Sequence, residues 1–219
     1  KDISKDTDFS KIDIVLFNGD MSSSINNEEQ IFTDFMDAAI ELFAKNVPIG
    51  FIRGNHETRG PYADYLMDYF PMKDGKSYGT FNIGKVAFLL LDCGEDKPDS
   101  DIEYSGLADF DSYRNEQAEW LKEAVQYKSF REAQNRIVFL HMPPGVSNWH
   151  GTLHLEETLL PALNKAGIDV VLSGHIHKYS YNPPIAGKTT FPVIVNSNNT
   201  LLRGDVINGK IRIQIFGTE

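Results

Sequence analysis

The sequence predicts an α/β sandwich, and three observations favour this fold class. Near-continuous apolar runs alternate with segments of helical periodicity as far as residue 177. Strands that are apolar along nearly their whole length indicate sheets that helices cover. From Thr189 onward only strand-like segments follow, which indicates a second sheet or an antiparallel extension of the first.

The elements are predicted from periodicity and turn residues. The expected elements of the first half are a strand at 12–17, a helix at 28–46, a strand at 47–55, a short helix at 61–69 and a hairpin at 80–92 that turns at Gly84-Lys85. A polar loop at 93–111 precedes a helix at 115–130, a strand at 136–144, a helix at 155–166 and a strand at 168–177. No internal repeat is visible, so residues 1–219 are predicted to form one domain.

Composition limits the classes of partner. The formal net charge of -10 argues against a nucleic-acid scaffold, because such binding draws on clustered Lys and Arg. The apolar runs are far shorter than the roughly 18 residues that a membrane span needs. Cys93 is the single cysteine, which excludes an internal disulfide and a multi-cysteine metal site. A small substrate is compatible with this composition, and the oligomeric state is not predicted.

Metal-ligand side chains recur at the carboxyl ends of the predicted strands, where an α/β sheet presents its ligand-binding loops. They are Asp20 after the first strand, Asn55 and His56 after the second, His141 in the segment 136–144, and His175 and His177 in the segment 168–177. A carboxylate, an amide oxygen and imidazoles suit Mn, Fe, Zn, Ni or Co better than Ca. The sequence therefore predicts a transition-metal site.

Three of these residues also have a structural interpretation. A lone Asp beside Gly commonly forms a turn, Asn55 could adopt a left-handed turn conformation, and His141 could be a hydrogen-bonded core histidine. In GHIH, an extended backbone would send the two imidazoles to opposite faces of the strand. Binding to two neighbouring metals would require a turned backbone there, for which Gly174 gives freedom.

Four motifs, in order, are NGD at 18–20, GNHE at 54–57, His141, and GHIH at 174–177. Through them the chain resembles the calcineurin-like metallophosphoesterase superfamily. The resemblance implies a four-layer fold, a two-sheet β-sandwich flanked by helices, with a centre of two divalent transition-metal ions. By resemblance Asp20 bridges both ions and His177 helps to hold the first. The ligands that complete the second ion would be Asn55, His141 and His175, while His56 would act without binding metal.

The chain departs from the family pattern in two places. The family's first motif, Asp-x-His at the end of an opening strand, has no counterpart upstream of Asp20, so the first metal would keep only Asp20 and His177. The domain would lack its N-terminal strand, and we expect the full protein to extend upstream of Lys1 and to supply it. The second departure is Ser23, which stands where purple acid phosphatases carry a Tyr and argues against a tyrosinate-bound ferric centre.

Three further residues are candidates for substrate binding: Arg53, Arg59 and His150. The arginines flank the GNHE turn and could bind phosphate bidentately, or either could form a salt bridge instead. His150 could contact the substrate from a lid or lie on the surface. Glu57 could orient His56 or cap a following helix, and the acids of loop 93–111 are expected to be solvated.

The predicted function is metal-dependent hydrolysis of a phosphate mono- or diester, in which a metal-bound hydroxide attacks in line. Two metals would clamp the phosphoryl oxygens, and His56 would protonate the leaving group. The alternative is a non-catalytic, metal-stabilised binding or scaffold module of the same fold, although a scaffold has no use for a His beside Asn55. The resemblance extends to secreted bacterial phosphoesterases, which favours an extracytoplasmic location.

Overall fold

The computed structural model describes residues 7–217, and the expected upstream strand lies outside them. β1 (Val15–Asn18) and β2 (Ile49–Ile52) pair in parallel as a two-stranded sheet. The helical segment between them covers residues 28–44 and alternates α-helical stretches, α1 (Glu28–Ile31) and α2 (Asp37–Ala39), with π-helical stretches, Phe32–Met36 and Ile40–Ala44. Its first turn is capped by Asn27, whose side chain accepts the N–H of Gln30. The predicted strand, helix and strand are confirmed.

The largest sheet has six strands in the order β3-β4-β5-β6-β8-β7. They are β3 (Gly79–Ile83), β4 (Val86–Leu91), β5 (Asn135–Leu140), β6 (Val170–Ser173), β7 (Ser180–Asn182) and β8 (Val193–Val195). β4, β5, β6 and β8 are parallel, whereas β3 and β7 pair antiparallel at the two edges. The predicted hairpin at 80–92 is present as β3 and β4. Because β4, β5 and β6 are parallel neighbours, their carboxyl ends lie at one edge of the sheet.

Two further strands, β9 (Thr200–Ile207) and β10 (Lys210–Gly217), form an antiparallel hairpin. The expected second sheet is therefore present as two separate pairs, β1–β2 and β9–β10, and no strand joins them within residues 7–217. Both pairs contribute to one hydrophobic cluster with the six-stranded sheet, which includes Leu16, Ile52, Phe139, Ile194, Leu202 and Ile213. The architecture is the metallophosphoesterase-like sandwich that the sequence predicts.

The opposite face of the large sheet is covered by α3 (Phe110–Ala124) and α5 (His150–Leu163), together with the short α4 (Lys128–Arg131). Fully buried side chains from the sheet and the helices pack together in this layer, among them Leu89, Val138, Val171, Leu121 and Leu159. Burying each such side chain contributes about 1.5–3 kcal/mol relative to exposure. None of the helices within residues 7–217 combines the length and apolar character that crossing a membrane needs.

Two helices begin earlier than the sequence predicts. α3 begins at Phe110 rather than at residue 115, and α5 begins at His150 rather than at residue 155. The Asp99 carboxylate accepts the N–H groups of Phe110 (2.8 Å) and Asp111 (3.0 Å), so a distant loop residue caps α3. The expected short helix at 61–69 is 3₁₀-helical over Ala63–Asp68.

Candidate metal centre

Hydrogen bonds tie together the carboxyl ends of β1, β5 and β6. The Asn18 amide donates to the Leu172 carbonyl at 3.0 Å, which joins the end of β1 to β6. The Gly174 N–H donates to the His141 carbonyl at 2.9 Å, which joins the loops after β6 and β5. Three predicted ligands meet at this edge, with donor atoms within 4.8 Å of one another: Asp20, His141 and His175.

Asp20 lies in a tight turn after β1. Gly19 and Asp20 have positive φ angles of 77° and 55°, and a Cβ at Gly19 would lie 2.6 Å from the Gly54 backbone. One Asp20 carboxylate oxygen accepts the N–H of His56 at 3.2 Å, and the other lies 3.0 Å from His141 Nε2. Burial alone would raise the pKa of Asp20, but the contact with His141 and its charge outweigh burial and lower that pKa to about 2.

His141 is 2% exposed, and one side of its ring is fixed by a hydrogen bond. Nδ1 lies 2.6 Å from the Asn18 carbonyl, which only accepts, so Nδ1 carries the proton. Nε2 is buried beside Asp20 without hydrogen-bond geometry and has no hydrogen-bond partner within the described residues. Burial would lower the pKa of His141, yet the contact with Asp20 outweighs burial and raises it. The site thus stabilises positive charge. Metal-ligating histidines typically bond one ring nitrogen to a backbone carbonyl and keep the other for the metal, and the ring of His141 has this arrangement.

Asn55 and His175 complete the donor set. The side-chain oxygen of Asn55, which is 1% exposed, lies 3.1 Å from His175 Nδ1. Asn55 has a φ of -70°, so it does not adopt the left-handed conformation. Burial, and then the charge of His141, lower the pKa of His175, which favours the neutral imidazole that binds metals. A carboxylate, an amide oxygen and two imidazoles share one site, and this set fits a divalent transition metal.

His177 lies outside this group. His175 and His177 have φ angles of 68° and 59°, so the GHIH backbone is turned, as two neighbouring metals would require. His177 is nevertheless exposed, and it does not share the cluster that Asp20 forms with the other two imidazoles. Its role at a first ion stays a prediction.

His56 lies beside the cluster, half-buried in the 3₁₀ turn His56–Thr58. Its Nδ1 lies 3.1 Å from the Ser23 carbonyl, which only accepts, so Nδ1 carries a proton. Nε2 is therefore the ring nitrogen that can serve a substrate. The GNHE turn places a candidate ligand, Asn55, next to a candidate proton donor.

Glu57 joins the loop after β1 to the loop after β2, a role that neither interpretation from the sequence describes. It is fully buried and accepts four backbone N–H groups, from Asp20 (2.8 Å), Met21 (2.5 Å), Ser22 (3.1 Å) and Gly54 (2.8 Å). These bonds hold Asp20 against the loop that carries Asn55. The GNHE motif includes Glu57, but three of its four partners lie on the loop after β1 and cannot be identified from local sequence.

Replacing Glu57 by Gln is expected to destabilise the fold by about 1–3 kcal/mol, because an amide nitrogen cannot accept the backbone N–H groups that a carboxylate oxygen accepts. Urea unfolding followed by fluorescence measures the change. The matched control is Glu116→Gln, at an exposed ion pair with Lys76, which should change stability by less than about 0.5 kcal/mol. Equal stability of Glu57→Gln and the wild type would contradict the joining role.

The two arginines predicted to bind phosphate both form ion pairs. Arg53 Nε donates to the buried Asp92 carboxylate at 2.8 Å, and Arg59 binds Glu95 through Nε at 2.6 Å and Nη2 at 2.8 Å. Burial alone would lower the pKa of Arg53, but the charge of Asp92 outweighs burial and raises it. The hydrogen bonds to Glu95 raise the pKa of Arg59. Both arginines thus form the salt bridges that were the alternative to phosphate binding. Their contact with a substrate phosphate stays a prediction.

His150 pairs two helices. It is the first residue of α5, and its Nε2 lies 2.9 Å from both carboxylate oxygens of Asp111 in α3. The side chain is 35% exposed and paired with Asp111, so it matches neither a lid residue without a partner nor a fully buried one. Substrate contact by His150 stays a prediction.

The expectation that the acids of loop 93–111 are solvated is wrong for two of them. Glu95 and Asp96 are 1% and 8% exposed. Glu95 is buried because Arg59 and the Tyr104 hydroxyl, at 3.2 Å, bind its carboxylate. Arg59 precedes Glu95 by 36 positions, so no local pattern indicates this burial.

A family model described as calcineurin-like phosphoesterase matches residues 1–179. The chain belongs to this family. Membership in the calcineurin-like phosphoesterases accords with the sandwich fold and with a donor set suited to divalent metals.

Individual relatives are distant. Serine/threonine-protein phosphatase CPPED1 of Pongo abelii is 23% identical over 154 residues, covering 67% of this chain and 46% of that protein. Purple acid phosphatase 21 of Arabidopsis thaliana is 26% identical over 199 residues, covering 82% of this chain and 41% of that protein. The structure of purple acid phosphatase PPD1 from yellow lupin (Lupinus luteus) seeds aligns with a TM-score of 0.60 at 19% identity, covering 86% of this chain and 37% of that one. The chain thus spans less than half the length of these relatives.

Proposed function

We propose that the chain hydrolyses phosphate mono- or diesters at a centre of two divalent transition-metal ions. The meeting of four candidate ligands at one edge, with His56 beside them, supports this proposal most: Asp20, Asn55, His141 and His175. The names of the relatives, a serine/threonine-protein phosphatase and a purple acid phosphatase, agree with this reaction class.

When bound, two such ions would clamp the phosphoryl oxygens and lower the pKa of a water molecule. The residues of the chain would hold the ions and orient the substrate. Asp20 would bridge the two ions, as the family resemblance implies, and its two oxygens contact His141 and the N–H of His56. The remaining ligands of the second ion would be Asn55, His141 and His175, and His177 would help to hold the first.

His56 would protonate the leaving oxygen. This role needs a proton on each ring nitrogen, with Nδ1–H donated to the Ser23 carbonyl and Nε2–H donated to the leaving group. General acid catalysis by a positioned side chain contributes about 10²–10⁴-fold to the rate. A binding module would gain nothing from this placement, which is why hydrolysis is the preferred proposal.

His177→Ala is expected to lower the metal-to-protein ratio from about two to about one, because the other four ligands would retain the second ion. Elemental analysis of dialysed protein measures the ratio. The matched control is Lys178→Ala, at the next exposed position, which should keep the wild-type ratio. If His177→Ala also kept that ratio, the role of His177 would be contradicted.

Hydrolysis of chromogenic phosphate mono- and diesters by metal-loaded protein tests the function itself. We expect turnover with added Mn, loss of turnover after chelation, and recovery when metal is restored. Metal retention without turnover of any ester would favour the alternative, a non-catalytic binding or scaffold module of the same fold.

A further inference from the structure

A cavity of about 480 Å³ lies between the carboxyl-terminal ends of α3 and α5, beside α4 and the start of β5. Four basic residues line it: Lys122, Arg131, Arg136 and Lys165. Among the described residues, no Asp or Glu lines the cavity, although acidic residues outnumber Lys and Arg by 31 to 21 in the whole chain. The cavity is therefore a concentration of positive charge on a negatively charged protein.

Much of this positive charge has no counter-charge. Lys122 pairs with Glu119 at 2.6 Å. None of the other three basic residues forms an ion pair with a carboxylate within residues 7–217. The carboxyl ends of α3 and α5 together carry about one negative charge, since each helix end is equivalent to about half a charge. With Glu119 included, about half of the positive charge is still uncompensated.

Arg136 is held in one orientation by neutral acceptors. Its Nε donates to the Phe130 carbonyl at 3.1 Å, and its Nη2 donates to the Arg131 carbonyl at 2.6 Å. The guanidinium carbon lies 5.7 Å from the centre of the Phe130 ring. These contacts fix the guanidinium and leave its charge intact. A guanidinium oriented in this way is suited to binding an anionic group such as a phosphate, sulfate or carboxylate.

The floor of the cavity is apolar. Val125 and Phe130 are buried there, and Ala162 and Ala166 are half-buried beside them. Three of the four basic residues are exposed, so they lie around the opening rather than at the floor. The volume falls within the roughly 300–1,000 Å³ that small-molecule sites occupy. Together the floor and the opening suit a molecule with one apolar and one anionic part.

The length of β5 separates the cavity from the candidate metal centre. Arg136 is the second residue of β5, and His141 directly follows its last residue, Leu140. Five residues of extended chain span about 16 Å. An anion in the cavity would therefore not be the ester that the metal ions bind.

We propose that this cavity binds a small organic anion, with its anionic group at the four basic residues and its aromatic or aliphatic part against the apolar floor. A nucleic acid would need a basic surface that extends over many phosphates, which the net charge of -10 disfavours. The site is separate from the proposed phosphoesterase centre, so the proposal does not depend on hydrolysis.

NMR titration of the ¹⁵N-labelled, metal-loaded chain with naphthalene-2-sulfonate tests the site. We expect saturable shifts of amide signals that line the cavity, such as those of Phe130 and Ala166, and an unchanged amide signal of His141. The neutral naphthalene-2-sulfonamide and inorganic sulfate should each bind at least about tenfold more weakly. The first lacks the charge that the basic residues attract, and the second lacks the apolar part that the floor would cover.

The double variant Arg131→Gln/Lys165→Gln should raise the Kd for naphthalene-2-sulfonate by about tenfold or more. Both side chains are exposed, so the fold should be retained. The matched control is Lys45→Gln/Lys73→Gln, which removes the same charge from two exposed positions outside the cavity. It should change the Kd by less than about twofold, because solvent screens distant surface charges.

Several results would overturn the proposal. Equal affinity for the sulfonate and the sulfonamide would show that the basic residues do not recognise the anion. Equal affinity for the sulfonate and inorganic sulfate would show that the apolar floor takes no part. The absence of saturable shifts, shifts centred on His141, or an equal rise in Kd in both double variants would show that the cavity is not the binding site.

Discussion

Replacing Asp20 by Ala is expected to abolish metal retention and ester hydrolysis together. A bridging carboxylate supports both ions, so its loss removes a ligand from each. Elemental analysis after dialysis and hydrolysis of a 4-nitrophenyl ester measure the two losses. Asp20→Asn is the companion variant, because Asn tolerates the left-handed backbone at this position, where φ is 55°. It should lose metal as well, which separates the ligand role from the turn.

The control for both variants is Asp109→Asn, which neutralises an exposed acid at the start of α3. This variant is expected to keep the metal content and activity of the wild type. Unchanged metal content in Asp20→Ala and Asp20→Asn would refute the bridging assignment.

Replacing His56 by Asn is expected to slow hydrolysis of esters with poor leaving groups by about 10²–10⁴-fold while metal content stays nearly intact. His56 would donate a proton and bind no metal, so its loss affects one step of the reaction. The measurement is kcat across a series of aryl esters that differ in the pKa of the leaving alcohol.

His154→Asn is the matched control, since His154 accepts a hydrogen bond from Arg114 and lies outside the metal cluster. Its leaving-group dependence should match that of the wild type. Equal slowing of good and poor leaving groups by His56→Asn would exclude a general-acid role.

The meeting of the candidate ligands could be predicted because sheet topology determines it. Asp20 and Asn55 follow parallel strands of one sheet, and His141 and His175 follow parallel strands of another, so parallel pairing places each pair at the same end of its sheet. The turned backbone at GHIH could also be predicted, since an extended one would separate the imidazoles. The positive φ of His175 agrees with this argument.

Long-range partners could not be predicted from the same patterns. The start of α3 depends on Asp99, and the burial of Glu95 depends on Arg59, which lies 36 positions away in the chain. Glu57 is similar, because its four donors lie on two loops that meet only in the folded state. Local sequence patterns do not predict such contacts, because the contacts form to satisfy buried polar groups that are distant in the chain.

Anomalous diffraction at the zinc edge from zinc-loaded crystals tests the candidate centre most directly, because it locates the ions without reference to activity. We predict a peak about 2.0–2.2 Å from an Asp20 carboxylate oxygen, the Asn55 side-chain oxygen and one imidazole nitrogen each of His141 and His175. His141 should bind the zinc ion through Nε2, since its Nδ1–H donates a hydrogen bond to the Asn18 carbonyl. Zinc bound elsewhere, with these four side chains free of metal, would contradict the account.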